Sequence, residues 1–334
     1  MFRRILPALV LCLLFVASDC RTSMGAGFAL YEWGARGLGM GGTLVARADD
    51  PSAIAFNPAG ITQLEGIHTV AGITGVGPNV DVTASGMEGT TTTQGKENIW
   101  YPPHAYLTYQ MTDRYWFGLG VMSRFGLGTE FDEDWIGRYN VYEAHIQSVS
   151  VLPTLAMKLT DALSLSVGAE AMWFEFGQKK KADSPFGDVD AELLGDSIGY
   201  GLNFGVHYKP LDWLSVGASY RTSVRQELRG DAEYDDVNPF LDANEFFQDT
   251  DAKGTVTLPE QFMFGVAVYP LERLSLEADV ILTNWSSYDE LRIELDDSPN
   301  PNAPEEATQT SSKNWNDVVR YQIGLEYAAT DWMD

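Results

Sequence analysis

Ser148-Val149-Ser150-Val151-Leu152-Pro153-Thr154-Leu155-Ala156-Met157-Lys158-Leu159 sets Val149, Val151, Leu155, Met157 and Leu159 on one side of an extended chain and Ser148, Ser150, Thr154 and Lys158 on the other. Side chains of a strand point to opposite faces in turn, so this ribbon is greasy on one side only. Past the short turn Thr160-Asp161-Ala162 the pattern resumes, with Leu163, Leu165, Val167, Ala169, Ala171 and Trp173 against Ser164, Ser166, Gly168 and Glu170. The two ribbons form a hairpin.

Five more stretches repeat the period of two. Tyr200, Leu202, Phe204, Val206 and Tyr208 oppose Gly201, Asn203, Gly205 and His207; Leu214, Val216, Ala218 and Tyr220 oppose Ser215, Gly217, Ser219, Arg221 and Arg225. Phe262, Phe264, Val266 and Val268 follow, then Leu274, Leu276, Ala278, Val280 and Leu282 against Glu277 and Asp279, then Val319, Tyr321, Ile323, Leu325 and Tyr327 against Arg320, Gln322 and Glu326. The polar faces are too polar for the core of a soluble sandwich. Connections alternate between short turns, at 111–114, 160–162, 209–212 and 269–273, and long segments, at 125–143, 177–198, 227–255 and 286–317. Outer-membrane barrels have this asymmetry, with short periplasmic turns and long outer loops. Tyr208, Trp213, Tyr269, Tyr327 and Trp332 gather around the short turns, where an interfacial girdle lies. The fold expected is all-β, a transmembrane antiparallel β-barrel with about ten strands present, near 67–76, 101–109, 114–122, 144–159, 163–176, 199–208, 213–226, 255–269, 274–285 and 318–327.

Targeting agrees with that setting. Arg3 and Arg4 precede the apolar run 5–17, which is shorter than the ~20 residues of a spanning helix and reads as a cleaved signal peptide. Cleavage before Ala26, after Ser23-Met24-Gly25, removes Cys12 and Cys20 and leaves no disulfide framework. A lipoprotein reading at Cys20 is the alternative, with Asp19 a poor fit to it. The 334 residues carry a formal charge of −25; loss of three Arg and one Asp with residues 1–25 leaves 19 basic and 46 acidic residues, a mature charge of −27. Such a surface suits neither DNA nor RNA, and its acid lies largely in the long connections. Solvation of the outer loops explains it; cation bridging to lipopolysaccharide is the sharper option.

Residues 26–66 differ in character, being dense in glycine through Gly42 and followed by Ala48-Asp49-Asp50-Pro51-Ser52 and Asn57-Pro58-Ala59-Gly60. Asp49 or Asp50 is placed to cap a short helix, and Asn57-Pro58 with Gly60 to stop it. At these residues the chain resembles the FadL-type transporters of long-chain fatty acids, a family that includes toluene and other hydrocarbon channels. The likeness runs on through Phe125-Gly126-Leu127-Gly128-Thr129-Glu130, Trp135-Ile136-Gly137-Arg138-Tyr139, Leu258-Pro259-Glu260, and Asp279 with Thr283-Asn284-Trp285-Ser286-Ser287. It covers nearly the whole mature chain. The resemblance implies a fourteen-stranded barrel whose lumen is plugged by an N-terminal hatch, with Asn57, Pro58, Ala59 and Gly60 on the hatch. On that pattern residues 67–334 are a C-terminally truncated barrel.

The function implied is an outer-membrane channel, acting as a monomer, for passive uptake of long-chain fatty acids or related hydrophobic compounds. Such a ligand gains ~0.8 kcal/mol per buried methylene, so capture needs apolar surface more than polar chemistry. Candidate ligand contacts are Phe186, Leu193, Leu194, Phe240, Leu241, Phe246 and Phe247 in the long connections, where apolar clusters sit in acidic surroundings, together with Phe125, Trp135 and Tyr139 of the family-like motifs. Arg138 is placed to meet a fatty carboxylate, or to pair with Glu130 or Asp134. Arg221, Arg225 and Arg320 have Glu170, Glu277, Asp279 and Glu326 available across the lumen. His68, His104, His145 and His207 lack metal-ligand spacing and no nucleophile motif appears, so neither catalysis, cofactor nor metal is expected. A general porin or adhesin-type barrel is the alternative.

Overall fold

A computed structural model describes residues 27–86 and 89–329. The signal segment, Cys20 and Trp332 lie outside the described residues. The strands are β1 Ile67–Ile73, β2 Asp81–Gly86, β3 Gly89–Gln94, β4 Pro103–Gln110, β5 Tyr115–Met122, β6 Leu127–Glu130, β7 Glu143–Lys158, β8 Leu163–Ala182, β9 Val189–Leu211, β10 Leu214–Arg221, β11 Val224–Asp235, β12 Thr250–Leu258, β13 Gln261–Leu271, β14 Leu274–Thr283, β15 Glu290–Leu295, β16 Thr308–Ser312 and β17 Val318–Tyr327. A hydrogen-bonded path runs β1-β4-β5-β7-β8-β9-β10-β13-β14-β17, ten strands paired antiparallel, with β1 and β17 at its two ends.

The greasy rows face outward. Val151, Leu155, Val167, Leu202, Phe204, Phe262, Phe264, Tyr321 and Leu325 are exposed, while Ser150, Thr154, Glu170, Asn203, His207, Ser215, Gln261, Glu277 and Asp279 on the alternate positions are buried. What buries them is residues 28–64, which fill the space enclosed by the sheet. Leu44, Val45, Ile54, Phe56 and Ile61 pack there against Trp33, Tyr106, Trp116, Met122, Leu152, Met263 and Ile281. Apolar side chains outside and polar ones within is the arrangement a bilayer demands, and antiparallel pairing satisfies the backbone of the strands between β1 and β17.

The segments 177–198, 227–255 and 286–317, expected as long loops, carry strands: the first is mostly strand, the second about half and the third about a third. β8 and β9 continue to Ala182 and from Val189, and β11, β12, β15 and β16 add a tier hydrogen-bonded onto the upper half of β9. The alternation persists but inverts. Along β11, Glu227, Arg229, Asp231 and Glu233 point out, while Leu228 and Ala232 are buried within. Charge faces outward because this tier meets water rather than lipid. The switch comes where the strands break, at Thr222-Ser223, at Pro259-Glu260 and over residues 284–289. The first two breaks shift the phase, and the first corrects one expectation: Arg225 points outward and pairs with Glu227 at 3.2 Å instead of facing the lumen.

Phe264→Arg on the lipid face of β13 should cost about 2–4 kcal/mol, the loss seen for a cation at mid-bilayer. Glu233→Arg on the outer tier should move stability by no more than about 0.5 kcal/mol. Urea titration of protein folded into vesicles measures both, and equal costs would contradict the assigned membrane boundary.

Candidate functional site

The N-terminal segment holds only two short helices, α1 Ala35–Gly39 and α2 Ala53–Phe56, and a 3-10 turn Pro58–Gln63. Glycine and proline weaken longer elements, so most of its backbone polar groups have no ladder partner and need side chains from the wall. Asp279 accepts the N–H groups of Leu44 and Val45 at 3.0 and 3.2 Å, and Glu277 those of Ala46 and Arg47 at 2.7 and 3.2 Å. Tyr106 and Trp116 donate to the carbonyls of Trp33 and Leu64, His207 to Ala46, Ser219 to Phe56 and Gln322 to Gly41. Glu326 binds Arg36 at 2.9 Å and also pairs with Arg47. Of the lumen carboxylates expected to pair with wall arginines, three therefore hold this segment instead, and Glu170 pairs with Arg124 at 2.6 Å. Arg320 lies over the Tyr31 ring, 4.1 Å from its centroid.

Asn57 is fully buried at the centre. Its amide donates to the carbonyls of Val45 and of Val206 on β9, both at 2.9 Å, and its carbonyl accepts from Ala59 at 3.3 Å, capping the turn. A side chain at Gly205 or Gly217 would strike Asn57 or the Val45 carbonyl, so the wall is glycine where the segment comes closest. Asp50 takes the N–H and hydroxyl of Ser52 at 2.7 and 2.5 Å, one residue before α2 begins.

Above this the wall is irregular. Between β5 and β6, the N–H and carbonyl of Phe125 are satisfied by the Ser148 hydroxyl, at 2.9 and 2.7 Å, in place of the β7 backbone. The other edge of the kink pairs with the N-terminal segment, through Leu30 to Arg124 and Gly126 to Phe28. Phe28 stands in a ring of aromatics, with Trp285 at 4.8 Å and Phe125, Tyr288 and Trp315 each at 5.8 Å between centroids. A mostly apolar cavity of about 210 Å³, lined by Leu30, Trp100, Phe125, Gly128, Ile146 and Val149 among others, lies beside the kink.

The remaining candidates are dispersed. Phe186 and Phe240 are exposed and in contact at 5.5 Å, and Phe247 packs on Tyr234 at 5.6 Å beside Phe246. Leu241, expected on the exposed face, is buried in α3 Pro239–Asp242. Strand alternation separates Leu193, inside the upper tier, from the exposed Leu194. Trp135 stacks on Phe131 at 4.2 Å. Arg138 binds neither Glu130 nor Asp134: it donates to Asp188 at 2.8 Å, as does the Tyr139 hydroxyl, and these two bonds hold the Asp188 carboxyl below the usual range. Glu130 is taken by Lys96 and Asn98.

Four residues escaped the sequence reading. Arg124 carried no signal beyond its neighbours' motifs, and Phe28 stood within the family-like stretch Gly27-Phe28-Ala29-Leu30 without being read as part of a chamber. Trp285 was visible within its motif but not as the wall of a chamber. Lys180 was hidden in Lys179-Lys180-Lys181, whose outer two pair with Glu192 and Asp190 while Lys180 turns inward beside Leu193, Tyr234, Ile293 and Leu295. Among the described residues it has no ion pair.

The family model for outer membrane protein transport protein (OMPP1/FadL/TodX) matches residues 16–333. The long-chain fatty acid transport protein of Escherichia coli O6:H1 is 23% identical, over 93% of this chain and 76% of the relative. A putative outer membrane protein of Neisseria meningitidis serogroup B is 25% identical, over 86% and 70%. Among solved structures, a Pseudomonas aeruginosa FadL homologue superposes with a TM-score of 0.72 at 19% identity, covering 92% of this chain and 79% of that one. The Ralstonia pickettii toluene transporter TbuX gives 0.71 at 20%, covering 90% and 84%. At these identities the structures establish the fold.

Asn57→Leu removes the donor to the carbonyls of Val45 and Val206 and should cost about 2–6 kcal/mol, from ~1–3 kcal/mol per unsatisfied group; an unchanged unfolding midpoint would count against the anchor. For the Arg138–Asp188–Tyr139 clasp, a lowered carboxylate pKa means its stabilisation is complete above the ordinary Asp value and is lost as pH falls through the lower folded one. The side-chain carbonyl NMR signal of Asp188 should therefore titrate below ~3.9 and move up toward it in Arg138→Ala, where the Tyr139 bond remains.

Proposed function

The chain belongs to the OMPP1/FadL/TodX family of outer membrane transport proteins, and on that premise we propose that it is a passive channel, acting as a monomer, for long-chain fatty acids or related hydrophobic compounds. The carrying observation is Asn57: fully buried and bonded to the carbonyls of Val45 and of Val206 on β9, it helps tie to the wall a segment that occupies the polar interior of an outward-greasy sheet. Such a segment is a hatch. A filled lumen also favours this reading over an open porin.

In the proposed route, Phe186 and Phe240 at the outer tip take the ligand from water, with Phe246 and Phe247 beside them. It passes into the upper tier, whose inner face of Leu193, Ala232, Ile293 and Leu295 is apolar. Lys180, with no carboxylate opposite it, takes the head group, a role Arg138 is unavailable for because Asp188 holds it. The chain then enters the aromatic chamber by displacing Phe28. Since Phe28 is bonded to Gly126 of the wall kink, its departure loosens hatch and wall together, and release follows past Asn57, Pro58, Ala59 and Gly60 or through the split beside the 210 Å³ cavity. Chain length drives the first steps at ~0.8 kcal/mol per methylene, and exit into lipid keeps that gain. The charged outer tier lies where lipopolysaccharide head groups do, and export is through the cleaved segment 1–25.

Cells carrying the gene should take up labelled oleate faster than a deletion strain; equal uptake would refute the channel. Lys180→Met should lower oleate uptake about tenfold, the worth of one charge-assisted contact, and leave toluene uptake unchanged.

A further inference from the structure

Two arginines and one carboxylate are buried together in the middle of the lumen, and only Arg124 is paired with the carboxylate. Arg124, Arg221 and Glu170 are each 1% exposed. Arg124 donates to Glu170 at 2.6 Å and to Gln261 at 3.3 Å. Arg221 gives one guanidinium nitrogen to the carbonyls of Ile54 and Ala55 at the end of α2, at 3.2 and 2.5 Å, and lies over the Trp33 ring at 5.2 Å. It interacts electrostatically with both Arg124 and Glu170. Among the described residues, Nη1 of Arg221, Nε of Arg124 and one oxygen of Glu170 have no hydrogen-bond partner.

The trio therefore carries a net positive charge with two donors unused, in a place where charge needs a partner. Elsewhere in the same lumen the chain completes such sets. Arg36 and Arg47 share Glu326 and have Asp49 and Asp50 as well. Position adds to chemistry: Arg124 precedes Phe125 in the wall kink, and Arg221 holds the end of the helix that leads into Asn57.

We propose that Arg124 and Arg221 form an internal carboxylate site, which receives the head group of the ligand after Lys180 and exchanges it with Glu170 on Arg124. This rests on the transport reading and narrows it to acids. A carboxylate there meets two guanidinium groups; Glu170, no longer paired, ceases to brace the kink against β8. A neutral hydrocarbon or alcohol of the same length cannot make the exchange, so the site selects for charge where the aromatic chamber selects for bulk.

The test uses the full chain in liposomes, with labelled oleate and oleyl alcohol supplied separately. The wild type should prefer the acid. Glu170→Gln removes the competing anion and should widen the acid-over-alcohol ratio about tenfold, one charge-assisted hydrogen bond's worth. Arg124→Gln should narrow it by a similar factor, with heat-modifiable gel mobility checking that it folds. Uptake of both ligands with a ratio unmoved or narrowed in Glu170→Gln overturns the site and leaves the channel standing. Uptake of neither by the folded wild type overturns both.

Discussion

An irregular backbone buried inside a barrel must find hydrogen-bond partners, and in this chain the wall supplies them. Turns and side chains within residues 28–64 satisfy only part of their backbone, so donors and acceptors also reach in from β4, β5, β9, β10, β14 and β17. This explains why the inner faces are rich in Ser, His, Gln, Asp and Glu without being an aqueous channel. It also explains the glycines at points of closest approach. The hold is mainly side chain to backbone rather than strand to strand. The exception is the short pairing of Phe28 and Leu30 with the kink, which couples the two most irregular parts of the molecule.

The wall itself is one sheet in two solvents. Its lower part is apolar outside and polar within; its upper tier is charged outside and apolar within, with three strand breaks marking the reversal. The reversal shapes the chamber: in the upper tier the inner surface is apolar and the charge lies outside, where the wall no longer has to satisfy lipid. Lys180 stands at the top of this region and the Arg124–Glu170–Arg221 trio at its floor, so charged groups bracket an apolar space.

The lower wall was legible because lipid on one face and a polar plug on the other enforce a contrast that survives in Leu163 to Trp173 or Val319 to Tyr327 residue by residue. The upper tier was not, because its contrast is of opposite sign and its strands carry Gly195, Gly230 and Gly254, so it looked like loop. Arg225 was misplaced for the same cause: extrapolating a phase across Thr222-Ser223 puts it on the wrong face. The glycine-rich N-terminal segment and its Asn57 motif were found through family likeness, with local turn chemistry as support. Its anchors were not foreseen as a set, since Glu277 and Asp279 look the same whether they face an arginine or four backbone N–H groups. Arg138 shows the complementary failure, a side chain with the right chemistry whose partner, Asp188, lies 50 residues away.

The pairing of Arg36 with Glu326 spans 290 positions along the chain. Contacts of such separation form late, because the entropy of closing the intervening loop is lost before the contact rewards it. The plug thus cannot be fully seated until β17 is in position, whatever the order in which earlier hairpins insert. Until then the lumen carboxylates and the N-terminal amides are both unmatched, and the half-built protein offers an open, sticky interior to whatever chaperone escorts it. Anchoring these early residues on so late a strand ties the seating of the plug to the arrival of β17.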